Sequence, residues 1–327
     1  MKKATPSTFM SLTNQEVETL LDTIRNSPTV FEQQGKYEET MIEDVSRKID
    51  QASRQMEEIF EGIFATGTVP IKEIKDEILP VIMQAAEIPH IYHLFYELKS
   101  KDEYTYRHTV CVGIISAMIG KWLELSEPDL MALSLGGTLH DLGKAKIPGE
   151  ILNKPGRLTQ EEYREMKRHT IYGYQLLRNI SELDKRVALI ALQHHEREDG
   201  GGYPFGLLGG KIDRLAKIVA IADVYHAMSS SRVYHQAEPF HIVISQMQSD
   251  VFGKFDPEIM LVFLFRIMDS LVGRRVLLSS GEVGRIIRVD PYEPLRALVQ
   301  SGDALIDLRL NRGLRISRVL NDSIVEV

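Results

Sequence analysis

The sequence predicts a mainly helical protein that ends in a small all-β domain. In the first hundred residues, apolar side chains recur at alternating steps of three and four, which is the period of one helix face. The middle of the chain carries helix-capping patterns around its histidines. The residues beyond Val272 instead form short β-branched segments separated by turn residues.

Residues 1–96 are predicted to form an N-terminal helical region. Its clearest pattern is a heptad seam over about three heptads, formed by Ile42, Val45, Ile49, Ala52, Met56, Ile59 and Ile63. The flanking heptad positions hold a single charge, so packing in a helical bundle and pairing of two chains in a coiled coil both stay open. Pro70 and Pro80 mark breaks in the segment that follows. We expect a regulatory role or dimerisation, with a homodimer formed through these helices.

Residues 97–268 are predicted to form the helical domain that carries the chemistry. Thr159 followed by Glu162 is a capping box and predicts the start of the helix that carries His169. Ser181 with Asp184 is a looser version of this signal ahead of an apolar run over residues 187–192. Residues 196–213 are rich in glycine, and such a loop needs an anchor to hold one conformation.

Residues 273–327 are predicted to form a small β-barrel-like domain or sandwich. Five short segments there are β-branched and are separated by turn residues, namely 275–278, 283–289, 295–299, 304–308 and 314–319. We expect these segments to be strands appended to the helical body.

Composition excludes several classes of function. A net charge of −7 disfavours binding to duplex nucleic acid, which needs a basic surface. No apolar run approaches the roughly 18 residues that cross a bilayer, and residues 1–12 lack the apolar core of a signal peptide. We therefore expect a cytoplasmic protein without a membrane span. The single cysteine, Cys111, excludes a thiolate-cage metal site.

Seven histidine and aspartate side chains predict a metal site. Five of the ten histidines fall, with two aspartates, in a pattern that contains HD and HH doublets: His108, His140, Asp141, His169, His194, His195 and Asp223. Asp223 lies in an otherwise apolar helical stretch, where an ionised carboxylate is costly unless it is paired or binds a metal. Imidazoles and carboxylates without thiolates suit iron, manganese, zinc, cobalt or nickel.

Seven ligands exceed what one tetrahedral ion takes, so we predict two divalent transition-metal ions that share a bridging group. Asp141 is the predicted bridge because its two carboxylate oxygens can reach different ions. The first ion is predicted to bind His108, His140, Asp141 and Asp223. The second is predicted to bind Asp141, His169, His194 and His195.

Two motifs resemble those of a known family. Residues 140–144 (HDLGK) resemble the HD motif of the HD hydrolase superfamily, and residues 194–204 (HHEREDGGGYP) resemble the extended motif of its HD-GYP subgroup. Weaker matches extend the resemblance over about residues 100–240, which makes residues 97–268 the expected HD-GYP catalytic domain. The resemblance implies a phosphodiesterase that hydrolyses cyclic di-GMP to pGpG or GMP through a hydroxide bridging the metals. It also favours iron or manganese as the metal.

The resemblance also implies roles for residues around the metals. Asp141 and Lys144 are the predicted catalytic residues, since Lys144 follows Asp141 by three positions and can reach a phosphoryl oxygen or the leaving group. Arg232 matches the family position that contacts substrate phosphate. Tyr203, with Pro204, is predicted to fix the glycine-rich loop beside the substrate.

The chain departs from the family pattern at three positions. Members with a third metal carry Glu four residues before the first histidine, where this chain has Tyr104, so two metals are expected rather than three. His235 stands where relatives carry a second basic residue, and His226 stands where Asp is usual.

Two other functions stay open. One is hydrolysis of other nucleotides by an HD-superfamily phosphohydrolase, and the other is sensing of a cyclic dinucleotide without cleavage. The HH doublet followed by the GYP motif argues against the first, and the presence of every predicted ligand and of Lys144 argues against the second. The motifs are compatible with pGpG or GMP as the product. They are also compatible with cyclic di-GMP or a mixed cyclic dinucleotide as the substrate.

Overall fold

The computed structural model of the chain describes residues 28–88, 105–230 and 240–320. Two compact units divide the chain, Met1–Asp44 and Val45–Val327. The predicted domain boundaries after residues 96 and 268 are not tested by this division and stay a prediction. Each helix in the described ranges is too short or too polar to span a lipid bilayer.

The first described helix carries the predicted heptad seam. It is α1 (Pro28–Thr66), followed by the short helix α2 (Ile71–Glu73), a π-helical turn (Ile74–Ile78) and α3 (Leu79–Ala85). From Val45 to Ile63 every seam residue is buried in the same hydrophobic cluster as α3 and the later helices. From Val45 to Ile63 the seam thus packs inside the larger unit, as the bundle alternative predicts, whereas the side chain of Ile42 lies outside the described residues. Dimerisation through the N-terminal helices stays a prediction.

The centre of the larger unit is a bundle of apolar helices. Its elements are α4 (Thr105–Trp122), α5 (Glu127–Leu139), a 3-10 turn (Leu142–Lys146) and the short α6 (Gly149–Leu152). Helix α5 begins where Ser126 accepts a hydrogen bond from the Asp129 amide. Helix α4 packs along α5. The contact brings the first turns of α4 close to the residues that follow α5.

The next helices correct two sequence predictions. They are α7 (Gln160–Lys167), α8 (His169–Leu177) and α9 (Lys185–Gln193). The Thr159 capping box is confirmed, but it opens α7, which ends before His169 begins a separate helix. The cap of α9 is Asp184, which accepts from the Arg186 amide, so the prediction that Ser181 starts this helix is wrong. A carboxylate at this position accepts a hydrogen bond from a free backbone amide of the first turn. Its negative charge also interacts favourably with the positive end of the helix dipole.

The remaining helices close the bundle, and one sheet follows them. A 3-10 turn (Gly209–Lys211) leads to α10 (Arg214–Ser229), α11 (Phe240–Lys254) and α12 (Pro257–Asp269). The strands are β1 (Arg275–Leu278), β2 (Val283–Arg288), β3 (Leu298–Ser301), β4 (Ala304–Asp307) and β5 (Ile316–Val319). They form an antiparallel sheet in the order β4-β3-β2-β1-β5. The predicted mainly helical chain with a C-terminal all-β unit is confirmed, and barrel-like closure of that unit stays a prediction.

Candidate metal centre

The seven predicted ligands come from five separate elements of the bundle. His108 lies in α4, and His140 with Asp141 follows the last residue of α5. His169 is the first residue of α8. The remaining side chains are His194 and His195 at the end of α9 and Asp223 in the middle of α10. Residues far apart in sequence therefore meet where α4, α5, α9 and α10 pack together and the start of α8 lies against the turn after α5.

The structure brings all seven side chains together in two groups. Each group offers ligand atoms that lie within 4.8 Å of one another. The first group is His108, His140 and Asp223, and the second is Asp141, His169, His194 and His195. This division matches the partition between two ions that the sequence predicted, with Asp141 placed here in the second group.

Asp141 also reaches toward the first group. Its Oδ2 lies 3.2 Å from Nε2 of His140. Its Oδ1 lies 3.4 Å from Nε2 of His169 and 3.9 Å from Nε2 of His194. The two oxygens of one carboxylate thus face different groups, which is the arrangement that a bridging ligand requires.

Backbone carbonyls orient three of the imidazole rings. The Nδ1 atoms of His140, His169 and His194 lie 2.7, 2.7 and 3.0 Å from the carbonyl oxygens of Gly137, Met166 and Ala191. A carbonyl oxygen can only accept, so each Nδ1 carries the proton and donates it. In the neutral ring Nε2 then has a lone pair directed at the centre, which is the tautomer that a metal binds.

Two buried atoms at the centre lack the partner that a cation would supply. Among the described residues, neither Nε2 of His140 nor Oδ1 of Asp141 has a hydrogen-bond partner. In addition, Nε2 of His169 and Nε2 of His194 lie 3.4 Å apart, although both rings already carry their proton on Nδ1. Ligand atoms about 2.0–2.1 Å from one tetrahedral ion are separated by about this distance. These residues therefore fit a bound metal ion.

In the second group, the electrostatics favour the protonation states that bind metal at Asp141, His194 and His195. Burial raises the pKa of the Asp141 carboxyl, but the Lys144 ammonium and the His140 imidazole outweigh it and hold that pKa well below its usual range. Burial lowers the pKa of His195 to about 3 and that of His194 well below its ordinary value. At neutral pH the carboxylate is thus ionised and these imidazoles are neutral.

At Asp223 and His140 neighbouring charges outweigh burial, and they stabilise the charged form of each group. Burial raises the pKa of Asp223, but the hydrogen bond from His108 and the charge of His140 outweigh it and hold that pKa well below normal. Burial lowers the pKa of His140, but the neighbouring Asp141 carboxylate outweighs it and raises that pKa above its ordinary value.

Gly143 explains how the HD doublet comes to lie against α8. A Cβ atom at this position would be 1.9 Å from the carbonyl oxygen of His169 and 2.4 Å from the amide nitrogen of Gly173. Glycine thus lets the turn after Asp141 approach the start of α8 at backbone distance. This contact places Asp141 beside His169.

Lys144 lies at the edge of the same centre. Its Nζ is 2.5 Å from Oδ2 of Asp141, and its side chain is partly exposed. The structure thus places the lysine ammonium next to the candidate bridging carboxylate, on the side open to solvent.

The glycine-rich loop is anchored by a residue that sequence reasoning missed. Glu196 is buried, and its two carboxylate oxygens accept hydrogen bonds from the amides of Phe205 and Leu207, each at 2.8 Å. A Cβ at Gly202 would lie 2.4 Å from the Cα of Glu196, so only glycine allows the loop to close over this residue. The feature of the sequence that could have identified Glu196 is its position directly after the HH doublet.

The same loop places Tyr203 against the candidate ligands. Its ring stacks on His195 with centroids 4.6 Å apart. Lys167, a second residue that sequence reasoning missed, holds its Nζ 5.7 Å from the Tyr203 ring centroid and 5.2 Å from that of Tyr163. The Tyr203 ring thus lies next to the centre on the side of His195, and the Lys167 ammonium lies near this ring and near that of Tyr163.

Several residues discussed from sequence lie outside the described residues, so predictions about them stay predictions. They are Tyr104, Arg232 and His235. His226 lies within the described residues and contacts the candidate ligand His108. Its Nδ1 is 2.9 Å from Nδ1 of His108, the ring nitrogen that does not face Asp223.

The chain belongs to the HD domain family, whose model, described as HD domain, matches residues 94–259. A cyclic di-GMP phosphodiesterase of Pseudomonas aeruginosa is 36% identical over 68% of this chain and 53% of its own length. A 3′3′-cGAMP-specific phosphodiesterase of Vibrio cholerae is 35% identical over 49% of this chain and 34% of its own length. The chain thus spans about half or less of these curated relatives.

A solved structure has a similar fold. It is described as an HDG"Y"P protein from Bdellovibrio bacteriovorus and superposes with a TM-score of 0.51 at 21% identity, covering 70% of this chain and 76% of its own. At this level of identity the likeness extends to the fold alone. HD-domain phosphodiesterases are metal-dependent, and the His and Asp cluster of this chain has the donor set to bind metal.

Proposed function

We propose that this chain is a metal-dependent phosphodiesterase that hydrolyses cyclic di-GMP to pGpG, GMP or both. The observation that carries the proposal is the convergence of seven histidine and aspartate side chains in two groups that share Asp141. The relative from Pseudomonas aeruginosa, which is named a cyclic di-GMP phosphodiesterase, supports the choice of substrate.

The centre is proposed to hold two divalent ions, iron or manganese first, with zinc, cobalt and nickel suited to the same donors. When bound, two such ions clamp a phosphodiester and lower the pKa of a water toward neutrality. Two divalent ions and the carboxylates of Asp141 and Asp223 sum to a charge of about +2, which attracts an anionic diester to an acidic protein.

The residues around the centre are proposed to hold the substrate. Lys144, already paired with Asp141, is aimed at the charge that develops on a phosphoryl oxygen or on the leaving group. Tyr203 offers a ring beside the ligands on which a nucleobase can stack. Lys167 next to this ring is suited to donate to O6 or N7 of guanine. Arg232 is proposed, from the family resemblance, to contact a phosphate.

A mixed cyclic dinucleotide is the second candidate substrate. The relative from Vibrio cholerae is named a 3′3′-cGAMP-specific phosphodiesterase, and both molecules present a guanine and a 3′–5′ phosphodiester to the same donors. The two substrates differ at one base only. Discrimination between them therefore depends on contacts to the second base, away from the metals.

Chromatography of products tests the proposal. Purified protein with its metal content measured is incubated under reducing conditions with cyclic di-GMP, 3′3′-cGAMP, GTP and ppGpp. We expect linear or mononucleotide products from a cyclic dinucleotide, and loss of product in His195→Ala. The matched control is His241→Ala, which removes a histidine of α11 outside both ligand groups. Cleavage of GTP or ppGpp alone refutes the substrate class, and tight binding of cyclic di-GMP without product in metal-loaded protein indicates a sensor.

A further inference from the structure

His226 approaches one candidate ligand from the side opposite the metal position. It lies in α10 three residues after Asp223, so both side chains project from one helix face toward His108. Oδ1 of Asp223 lies 3.1 Å from Nε2 of His108, whereas Nδ1 of His226 lies 2.9 Å from Nδ1 of His108. His226 is buried, with 1% of its surface exposed. One helix thus contacts both nitrogens of the His108 ring.

With a cation on Nε2 of His108, the short contact between the two ring nitrogens assigns one tautomer to each ring. A hydrogen bond between Nδ1 atoms needs one proton, and it must lie on His108 when Nε2 of that ring gives its lone pair to a cation. Nδ1 of His226 then accepts, so the proton of the neutral His226 ring is on Nε2. Oγ of Ser230 lies 3.3 Å from this Nε2 and 3.4 Å from Nδ1, so the hydroxyl is close enough to accept the Nε2 proton while it also contacts the acceptor side of the ring. The contacts form a chain from Ser230 through His226 to His108.

This anchor differs in kind from those of the other oriented rings. His140, His169 and His194 donate Nδ1–H to backbone carbonyls, which substitution does not remove. Nδ1 of His108 lies against a side chain, that of His226, and this contact can be removed by substitution. Partners behind a ligating histidine fix its tautomer and ring orientation and raise its basicity, and their loss weakens metal binding.

We propose that His226 is a positioning residue that orients His108 and sets the affinity of the first metal position, the one formed by His108, His140 and Asp223. The inference rests on the metal centre of the proposed function. It is independent of which nucleotide is cleaved. The role assigned to His226 is acceptance of one hydrogen bond at Nδ1, so any side chain that places an acceptor there should replace it.

Two substitutions separate this role from simple packing. His226→Phe keeps a planar ring but removes the acceptor, and His226→Asn keeps an acceptor near the position of Nδ1 on a smaller side chain. Metal-free protein is titrated with Mn²⁺ alone by calorimetry. We expect His226→Phe to weaken binding of one ion by about 10- to 100-fold and to leave the other ion unchanged. His226→Asn should restore the affinity, although it fills the core less well than phenylalanine.

The outcomes distinguish failure of this inference from failure of the proposed function. If the wild-type chain binds Mn²⁺ at two positions and His226→Phe, folded by circular dichroism, binds both equally well, His226 has no positioning role. Equal weakening in His226→Asn and His226→Phe also overturns it, because packing then explains the loss. A wild-type chain that binds no Mn²⁺ overturns the metal centre itself. Ser230→Ala gives a milder version of the test if His226→Phe does not fold, with a smaller loss expected at the same ion.

Discussion

Glu196 gives the sharpest prediction about the glycine-rich loop. Its carboxylate accepts two backbone hydrogen bonds in a buried setting, and a bond to a charged acceptor contributes about 1.5–3 kcal/mol. The amide of Glu196→Gln has one acceptor oxygen and therefore satisfies only one of the two amides of Phe205 and Leu207. The loss of about 1.5–3 kcal/mol corresponds to a roughly 10- to 100-fold larger population of the open loop.

Hydrogen exchange of the two loop amides measures this change directly. We expect at least one of the Phe205 and Leu207 amides to exchange roughly 10- to 100-fold faster in Glu196→Gln, with metal content unchanged and KM raised. Glu161→Gln is the matched control, because Glu161 is an exposed glutamate whose partner Arg164 is also exposed. Unchanged exchange at both amides in Glu196→Gln refutes the reasoning that this carboxylate anchors the loop.

Three further predictions concern the centre. Lys144→Ala should lower turnover by about 10²–10³ while both metals stay bound, and unchanged turnover in metal-loaded variant removes the proposed role. Gly143→Ala should lose metal binding and stability together, because its Cβ would meet the His169 carbonyl at 1.9 Å; a stable variant with full metal content contradicts this. The pKa of His195 is about 3 in the folded metal-free chain, so below about pH 6.5 the unfolded chain binds a proton on this ring that the folded chain does not. The free energy of unfolding should therefore fall as the pH drops below about 6.5, by about 1.4 kcal/mol per pH unit for this ring. Urea unfolding from pH 7 to pH 5 should show a shallower slope in His195→Gln.

The candidate centre was accessible from sequence because its chemistry is concentrated in short patterns. The HD doublet places His140 and Asp141 side by side, and the HH doublet does the same for His194 and His195. A carboxylate such as Asp223 in an apolar helix is costly without a positive partner, so its position alone pointed to the centre. The structure places these residues in the two predicted groups, and their role as metal ligands is the proposal.

Other features depended on tertiary contacts that local patterns do not contain. The capping box at Thr159 is present, but no local pattern marks the end of α7 at Lys167 and the new start at His169, where α8 lies against the turn at Gly143. The third strand begins at Leu298, later than the apolar segment predicted from residue 295, because ladder pairing with β2 sets its start. Strand boundaries of this kind depend on register, which single segments do not specify.

The contacts of Glu196 and His226 were equally out of reach from sequence. Both side chains are buried. Glu196 accepts from backbone amides of a loop without regular structure, and His226 contacts a ring 118 positions away, that of His108. In the sequence, His226 stands where the family usually has Asp, and this pattern predicts no role for it. The 2.9 Å distance between the Nδ1 atoms of the two rings is the observation from which we propose that His226 orients His108.

Anomalous X-ray scattering from crystals of the chain grown with Mn²⁺ tests the central claim most directly. The account predicts two anomalous peaks about 3.5–4 Å apart, one among His108, His140 and Asp223 and the other among His169, His194 and His195, with an oxygen of Asp141 next to each. A single peak, or peaks away from these side chains, would contradict a shared two-metal centre.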